Sequence, residues 1–158
     1  MKEDLIIKQL TEKFGSGISE TSNPSPRRMF ATVNKEILNE VIKYLRDTFN
    51  FYHLSTITGV DKGDFELNYH FANELTCVTL RVTVPRAEPN INSICEVIPG
   101  AVLYEREIQD MYGIKVANIP DGRPLVTSDD WPEDNYPLRK DWTFERPKEV
   151  IPGEQNGD

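Results

Sequence analysis

The chain has 158 residues, 38% of them apolar and 28% charged, and a formal net charge of −8. That length suits one domain with a real core, without metal or disulfide staples. The negative charge and the lack of a basic stripe with interleaved aromatics argue against a nucleic-acid binder, and no apolar run reaches the ~18–20 residues that span a bilayer.

The opening MKEDLIIKQLTEKFG carries Glu3 and Asp4 where a secretory leader needs basic residues, so no leader is expected. Ile6, Leu10 and Phe14 recur at helical spacing, predicting a helix over about 2–14 that Gly15 and Gly17 end. GISETSNPSPRRMFATV reads as a strand pair around a Pro24/Pro26 turn. Asn34 has the chemistry of an N-cap for a helix running to about Phe49, with Ile37, Val41, Leu45 and Phe49 facing inward.

Two alternating runs follow. Phe65, Leu67, Tyr69 and Phe71 share one side of FELNYHF, with Glu66, Asn68 and His70 on the other. In TCVTLRVTV, Val78, Leu80, Val82 and Val84 oppose Cys77, Thr79, Arg81 and Thr83. This is the pattern of antiparallel strands with one wet face, and the short ANEL link makes them a hairpin. FYHLSTITGV, ahead of a DKGD turn, is a third strand. The order α-β-β-α-β-β-β predicts a two-layer α+β domain with a mixed, largely antiparallel sheet and helices on one face.

INSICEVIPGAVLYEREIQDMYG is expected to form one or two helices broken at Pro99–Gly100. These complete a core domain at residues 1–113. The remaining 114–158 loses periodicity and holds six of the eleven prolines, so it reads as an extended arm without a core of its own.

Cys77 and Cys95 are the only cysteines and form no CxxC pair, and His53 and His70 have no metal-ligand spacing. A cluster or structural zinc usually takes about four ligands, so no metal or redox cofactor is expected on this chain, and two unpaired cysteines suit a reducing compartment.

Charge concentrates in YEREIQDMYG. In a helix over 101–112, Ala101, Tyr104, Ile108, Met111 and Tyr112 form the apolar face, while Arg106 and Asp110 stand four apart with Glu105 and Glu107 beside Arg106. Three readings are open: a solvated ion pair worth ~0.3–0.5 kcal/mol, a paired-carboxylate acid/base site, and a charged ridge covered by a partner. Arg106 weighs against the second, because a guanidinium lowers neighbouring carboxyl pKa values where a general acid needs one raised. The second dense stretch, DDWPEDNYPLRKDW, sets Trp131, Tyr136, Leu138 and Trp142 among prolines and charges. It is either a loop wrapping its own domain or a stiff set of interface anchors.

These stretches carry a family resemblance. Glu-Arg-Glu-x-x-Asp at 105–110, followed by Met111 and Tyr112 and then by Pro-Asp-x-Arg-x-Leu-Val at 120–126, resembles the signature of the 30 kDa subunit of respiratory complex I, the bacterial NADH-quinone oxidoreductase. Asp-Trp-Pro-x-x-x-Tyr-Pro-Leu-Arg-Lys-Asp at 130–141 is similar to that family's C-terminal arm, most of all in energy-converting membrane-bound [NiFe] hydrogenases. Ile119 stands where His or Lys is usual before Pro-Asp, and Trp142 where Tyr or Phe is commoner. The resemblance implies a non-catalytic subunit on the cytoplasmic side of the cell membrane, peripheral to a membrane complex and not itself inserted in the bilayer. That complex would be such a hydrogenase, coupling electron transfer to ion translocation, or else a complex I-like dehydrogenase for NADH, ferredoxin or a deazaflavin. The resemblance implies docking on the hydrogenase large subunit or its complex I counterpart, beside a small iron–sulfur subunit and membrane subunits. The [NiFe] centre and iron–sulfur clusters would lie in those partners. It also implies a partner surface made of Glu105, Arg106, Glu107, Asp110, Arg123, Trp131, Tyr136, Pro137, Leu138, Arg139, Lys140 and Asp141.

Overall fold

The computed structural model describes residues 2–143, so the arm beyond 143 lies outside the described residues. Helix α1 (Lys2–Phe14) leads through a 3-10 turn into the hairpin β1 (Ile18–Ser25) and β2 (Arg28–Val33). Helix α2 (Leu38–Phe49) follows, then three antiparallel strands: β3 (His53–Lys62), β4 (Asp64–Ala72) and β5 (Cys77–Val84). The sheet order is β1-β2-β5-β4-β3. The chain leaves β2 through α2, enters at the far edge and walks back, so β5 lies parallel to β2 with Ala31 opposite Leu80. The sheet is therefore mixed and largely antiparallel, as the element order implies.

The inward rows are those of the two alternating runs. Phe65, Leu67, Leu80, Val82 and Val84 have no exposed surface, and Tyr69, Phe71 and Val78 almost none. Against them pack Ile6 and Leu10 of α1, Val41, Ile42 and Leu45 of α2, and Ile108 and Tyr112 of the last helix. Burying such side chains stabilises the fold by roughly 1.5–3 kcal/mol each. On the opposite face His70 lies between Thr58 (3.2 Å) and Thr79 (2.9 Å), and burial together with the Arg28 charge lowers its pKa.

Three expectations change. Asn34 makes no side-chain cap; a 3-10 turn at Lys35–Ile37 starts the helix, and the buried stripe becomes Leu38, Val41, Ile42 and Leu45. Residues 91–98 form no helix. Ile91, Ile94, Cys95 and Ile98 are buried at helical spacing, but they belong to β6 (Asn90–Asn92) and the turn after it. Only the 3-10 turn Pro99–Ala101 and α3 (Val102–Tyr112) are helical. Finally, the core does not stop at Gly113: β7 (Lys115–Ala117) pairs in parallel with β6 and buries Ile114 and Val116. A strand that short shows no periodicity in sequence.

Candidate docking surface on the third helix and the arm

Helix α3 ends at Gly113, whose φ of 66° sets a left-handed cap with its N–H on Gln109 O at 2.9 Å. A Cβ at Gly113 would run into the Tyr136 ring and come within 2.7 Å of Arg139 Nη2, so glycine also lets the arm lie close to the helix end.

The charges of this helix do three separate jobs. Glu105 is 2% exposed. Its carboxylate accepts Ser93 Oγ (2.7 Å), the Ile94 amide (2.7 Å) and Cys95 Sγ (3.2 Å), which fixes the turn after β6. Burial, with this carboxylate alongside, pushes the Cys95 thiol up to about 11, and the buried Tyr69 hydroxyl also rises far above its usual value. Glu105 thus has no surface to offer a partner. Arg106 does not pair with Asp110. Its Nε and Nη2 donate to the carbonyls of Arg123 (2.7 Å) and Pro124 (2.8 Å), and Nη1 lies 3.3 Å from Asp121. Asp110 Oδ2 gathers three successive amides, Leu125 (2.7 Å), Val126 (2.8 Å) and Thr127 (3.3 Å). Glu107 alone of the four is exposed.

Arg123 points outward with its side chain 81% exposed, paired with Asp121 at 2.7 Å. Hydrogen bonds from Arg123 dominate the drop of the Asp121 pKa far below the carboxylate range.

The rest of the arm also folds back. Trp131 Nε1 donates to Asn135 O (2.9 Å), and the Tyr136 hydroxyl reaches Asp134 (3.3 Å). The Leu138 amide donates to Met111 O (3.1 Å) and Arg139 Nε to Tyr112 O (2.7 Å), covering the open carbonyls of the helix end. The Arg139 guanidinium stacks 4.3 Å from the Tyr136 ring centre and 5.2 Å from that of Phe65. Pro137 is half-buried, while Leu138 stays 51% exposed. The Lys140 amide donates to Asp61 Oδ2 (2.8 Å), and Asp141 stands 3.4 Å from Arg86.

Asp61, which by sequence belongs to nothing more than a turn, is the anchor of this end. It is 4% exposed and accepts Lys140 N, Gly63 N (3.1 Å) and Arg86 Nη2 (2.6 Å). Those bonds, the Lys140 amide first, lower its pKa. Its signal was an acidic residue at an inward position of β3, opposite Phe65. Tyr104 and Tyr112, expected as apolar, each also donate a hydroxyl to β3, to Ser55 O (3.0 Å) and Gly59 O (2.7 Å). Both therefore occupy acceptors on an edge strand.

Glu105 accepts three donors from the turn after β6, and Asp110 accepts three backbone amides of the arm. Among the described residues no group of three or more His, Cys, Asp or Glu could hold a metal ion, and no helix is long and apolar enough to cross a membrane.

Residues 31–148 match the model of the respiratory-chain NADH dehydrogenase 30 kDa subunit. The chain belongs to this family. A subunit of the F(420)H(2) dehydrogenase of Methanosarcina mazei is 39% identical over 142 residues, covering 87% of this chain and 89% of that one. Hydrogenase-4 component G of Escherichia coli is 32% identical over 147 residues, covering 87% of this chain but only 26% of that protein. The fold is that of a chain in the membrane-bound sulfane sulfur reductase, an archaeal respiratory membrane complex, with a TM-score of 0.79, 23% identity and coverage of 96% and 99%. As a member of the 30 kDa family, the chain is a subunit of an oxidoreductase complex.

Proposed function

We propose that this 30 kDa-family chain is a non-catalytic docking subunit of a complex I-like, membrane-associated oxidoreductase, holding a larger electron-transfer subunit against its neighbours. The observation that carries this reading is the pinned arm. Arg106 and Asp110 hold the backbone of residues 123–127, and Asp61 holds that of Lys140, at one end of the domain. The result is a surface whose backbone is held in place by buried and half-buried side chains. A surface ordered in advance loses less entropy when a partner covers it. The near-complete overlap with an F(420)H(2) dehydrogenase subunit supports a complex I-like assembly.

A second reading, an energy-converting [NiFe] hydrogenase, is favoured by the arm residues at 130–141 and by hydrogenase-4 component G. There this module is about a quarter of a longer chain, so it is joined to a much larger body. Under either reading the chain sits peripherally on the cytoplasmic side and carries no cofactor. The metal centres would lie in the large subunit and a small iron–sulfur subunit, beside membrane subunits. Affinity purification of the tagged chain from its native membranes, with mass spectrometry and metal analysis of what accompanies it, tests this. A nickel- and iron-bearing large subunit supports the hydrogenase reading, and a large subunit without nickel the complex I-like one. Recovery of no larger subunit would refute both.

A further inference from the structure

The loop at 123–127 faces the opposite way from an ordinary surface loop. Its amides at Leu125, Val126 and Thr127 turn in to Asp110, and its carbonyls at Arg123 and Pro124 turn in to Arg106. The side chains of Leu125 and Val126 are left outside, 42% and 56% exposed. On α3, Leu103 (52% exposed) and Glu107 stand four residues apart, with Asp110 three further on, so all three share the face that the loop borders. Leu103, Leu125 and Val126 are thus exposed aliphatic side chains on this helix face and on the loop that Arg106 and Asp110 hold beside it. Single exposed leucines are ordinary, but aliphatic side chains beside and on a loop held by two polar anchors mark an interaction site.

The exposed charges nearest along the chain are acidic. Glu107 stands one turn from Leu103 on α3, and Asp129 and Asp130 follow Val126 by three and four residues, all exposed, whereas Asp121 is engaged by both Arg106 and Arg123. We infer that Leu103, Leu125 and Val126 seat a protein partner whose own aliphatic surface is edged with lysine or arginine. This rests on the docking reading above and names the face that docks. Charge selects the occupant. A second copy would bring its own Glu107, Asp129 and Asp130 against these, and an anionic membrane surface would be repelled by them.

The test uses the full-length tagged chain expressed in its native host and captured in mild detergent. The double variant Leu125→Ser/Val126→Ser is expected to recover less than about a tenth of the large partner that the wild type recovers, a loss of about 1.4 kcal/mol or more. Glu107→Lys, which disturbs no hydrogen bond of the loop, is expected to lose several-fold. Leu75→Ser, in the turn after β4, is expected to change nothing. Amide exchange on each purified variant checks that 125–127 stay protected, since that protection comes from Asp110. Undiminished capture by both the double variant and Glu107→Lys would overturn this face while leaving the docking function standing. Failure of the wild type to capture any partner would overturn the docking function itself. A wild-type dimer in sedimentation that the double variant abolishes, or flotation of the wild type with anionic phospholipid vesicles, would overturn the inference in favour of a second copy or a lipid surface.

Discussion

In the sheet, Leu67, Leu80, Val82 and Val84 are fully buried and the strands are held by side-chain packing. In the arm, Leu125, Val126 and Leu138 remain exposed, and the chain is held by its backbone, gripped by Asp110, Arg106, Asp61 and Met111 O. The two regions teach different lessons about stability. Apolar burial is cooperative, so its loss is felt across the domain. A polar grip is local, and its loss frees the segment it holds while the core persists. Helix α3 serves both, with Glu105 inside the core and Arg106 and Asp110 on the arm.

The comparison breaks first at its apolar side. Leu80→Ala should cost about 2–5 kcal/mol in denaturant unfolding and release sheet and arm together, because it opens a cavity in the core on which the whole domain depends. Glu105→Ala should cost the isolated domain about 3 kcal/mol, since it leaves the Ser93 hydroxyl and the Ile94 amide without an acceptor in a buried place. Its effect should show as lost amide protection at 93–95. Asp110→Ala should cost about 1–2 kcal/mol and act on the arm: residues 125–127 should exchange fast while β4 and β5 stay protected. An equal loss of protection in β4 would show that arm and core are one unit.

Acid sharpens the contrast. The folded pKa of Asp61 lies below its ordinary 3.8, so the unfolded chain takes up this proton first as pH falls. The stability that Asp61 contributes is complete above about pH 4 and is lost as pH falls through the lowered folded value. Protection of the Lys140 amide should fade in that window, ahead of the sheet amides, and Asp61→Asn should remove the transition. The smallest effect is expected from Tyr104→Phe, about 0.5–1 kcal/mol in thermal unfolding, for one hydrogen bond to Ser55 O.

Much of the fold is legible in the chain because period-two alternation at 65–71 and 78–84 has one physical solution, a half-buried strand. The segment 91–98 misleads because Ile91, Ile94, Cys95 and Ile98 satisfy helical spacing equally well from a strand and a turn. What chooses between them is β7, which supplies a pairing partner, and Glu105, which supplies an acceptor. The motif at 105–110 is visible in sequence as charge, but its division of labour is not. Neighbouring charges on a helix look like one ridge, although successive residues turn by about 100° and meet different neighbours. Asp61 and Arg86 escape notice because they are 79 and 55 residues from the arm groups they hold.

The sequence by itself determined the layer architecture, the strands of the sheet and the family, since these follow from periodicity and from motif residues at fixed spacing. Tertiary structure alone decided that Glu105 is an internal brace and that Arg106 and Asp110 hold the arm instead of each other. It also decided that Leu125, Val126 and Leu138 are what the arm leaves on the surface. The physical reason is that a charged side chain is defined by the donors and acceptors around it, and those come from distant parts of the chain.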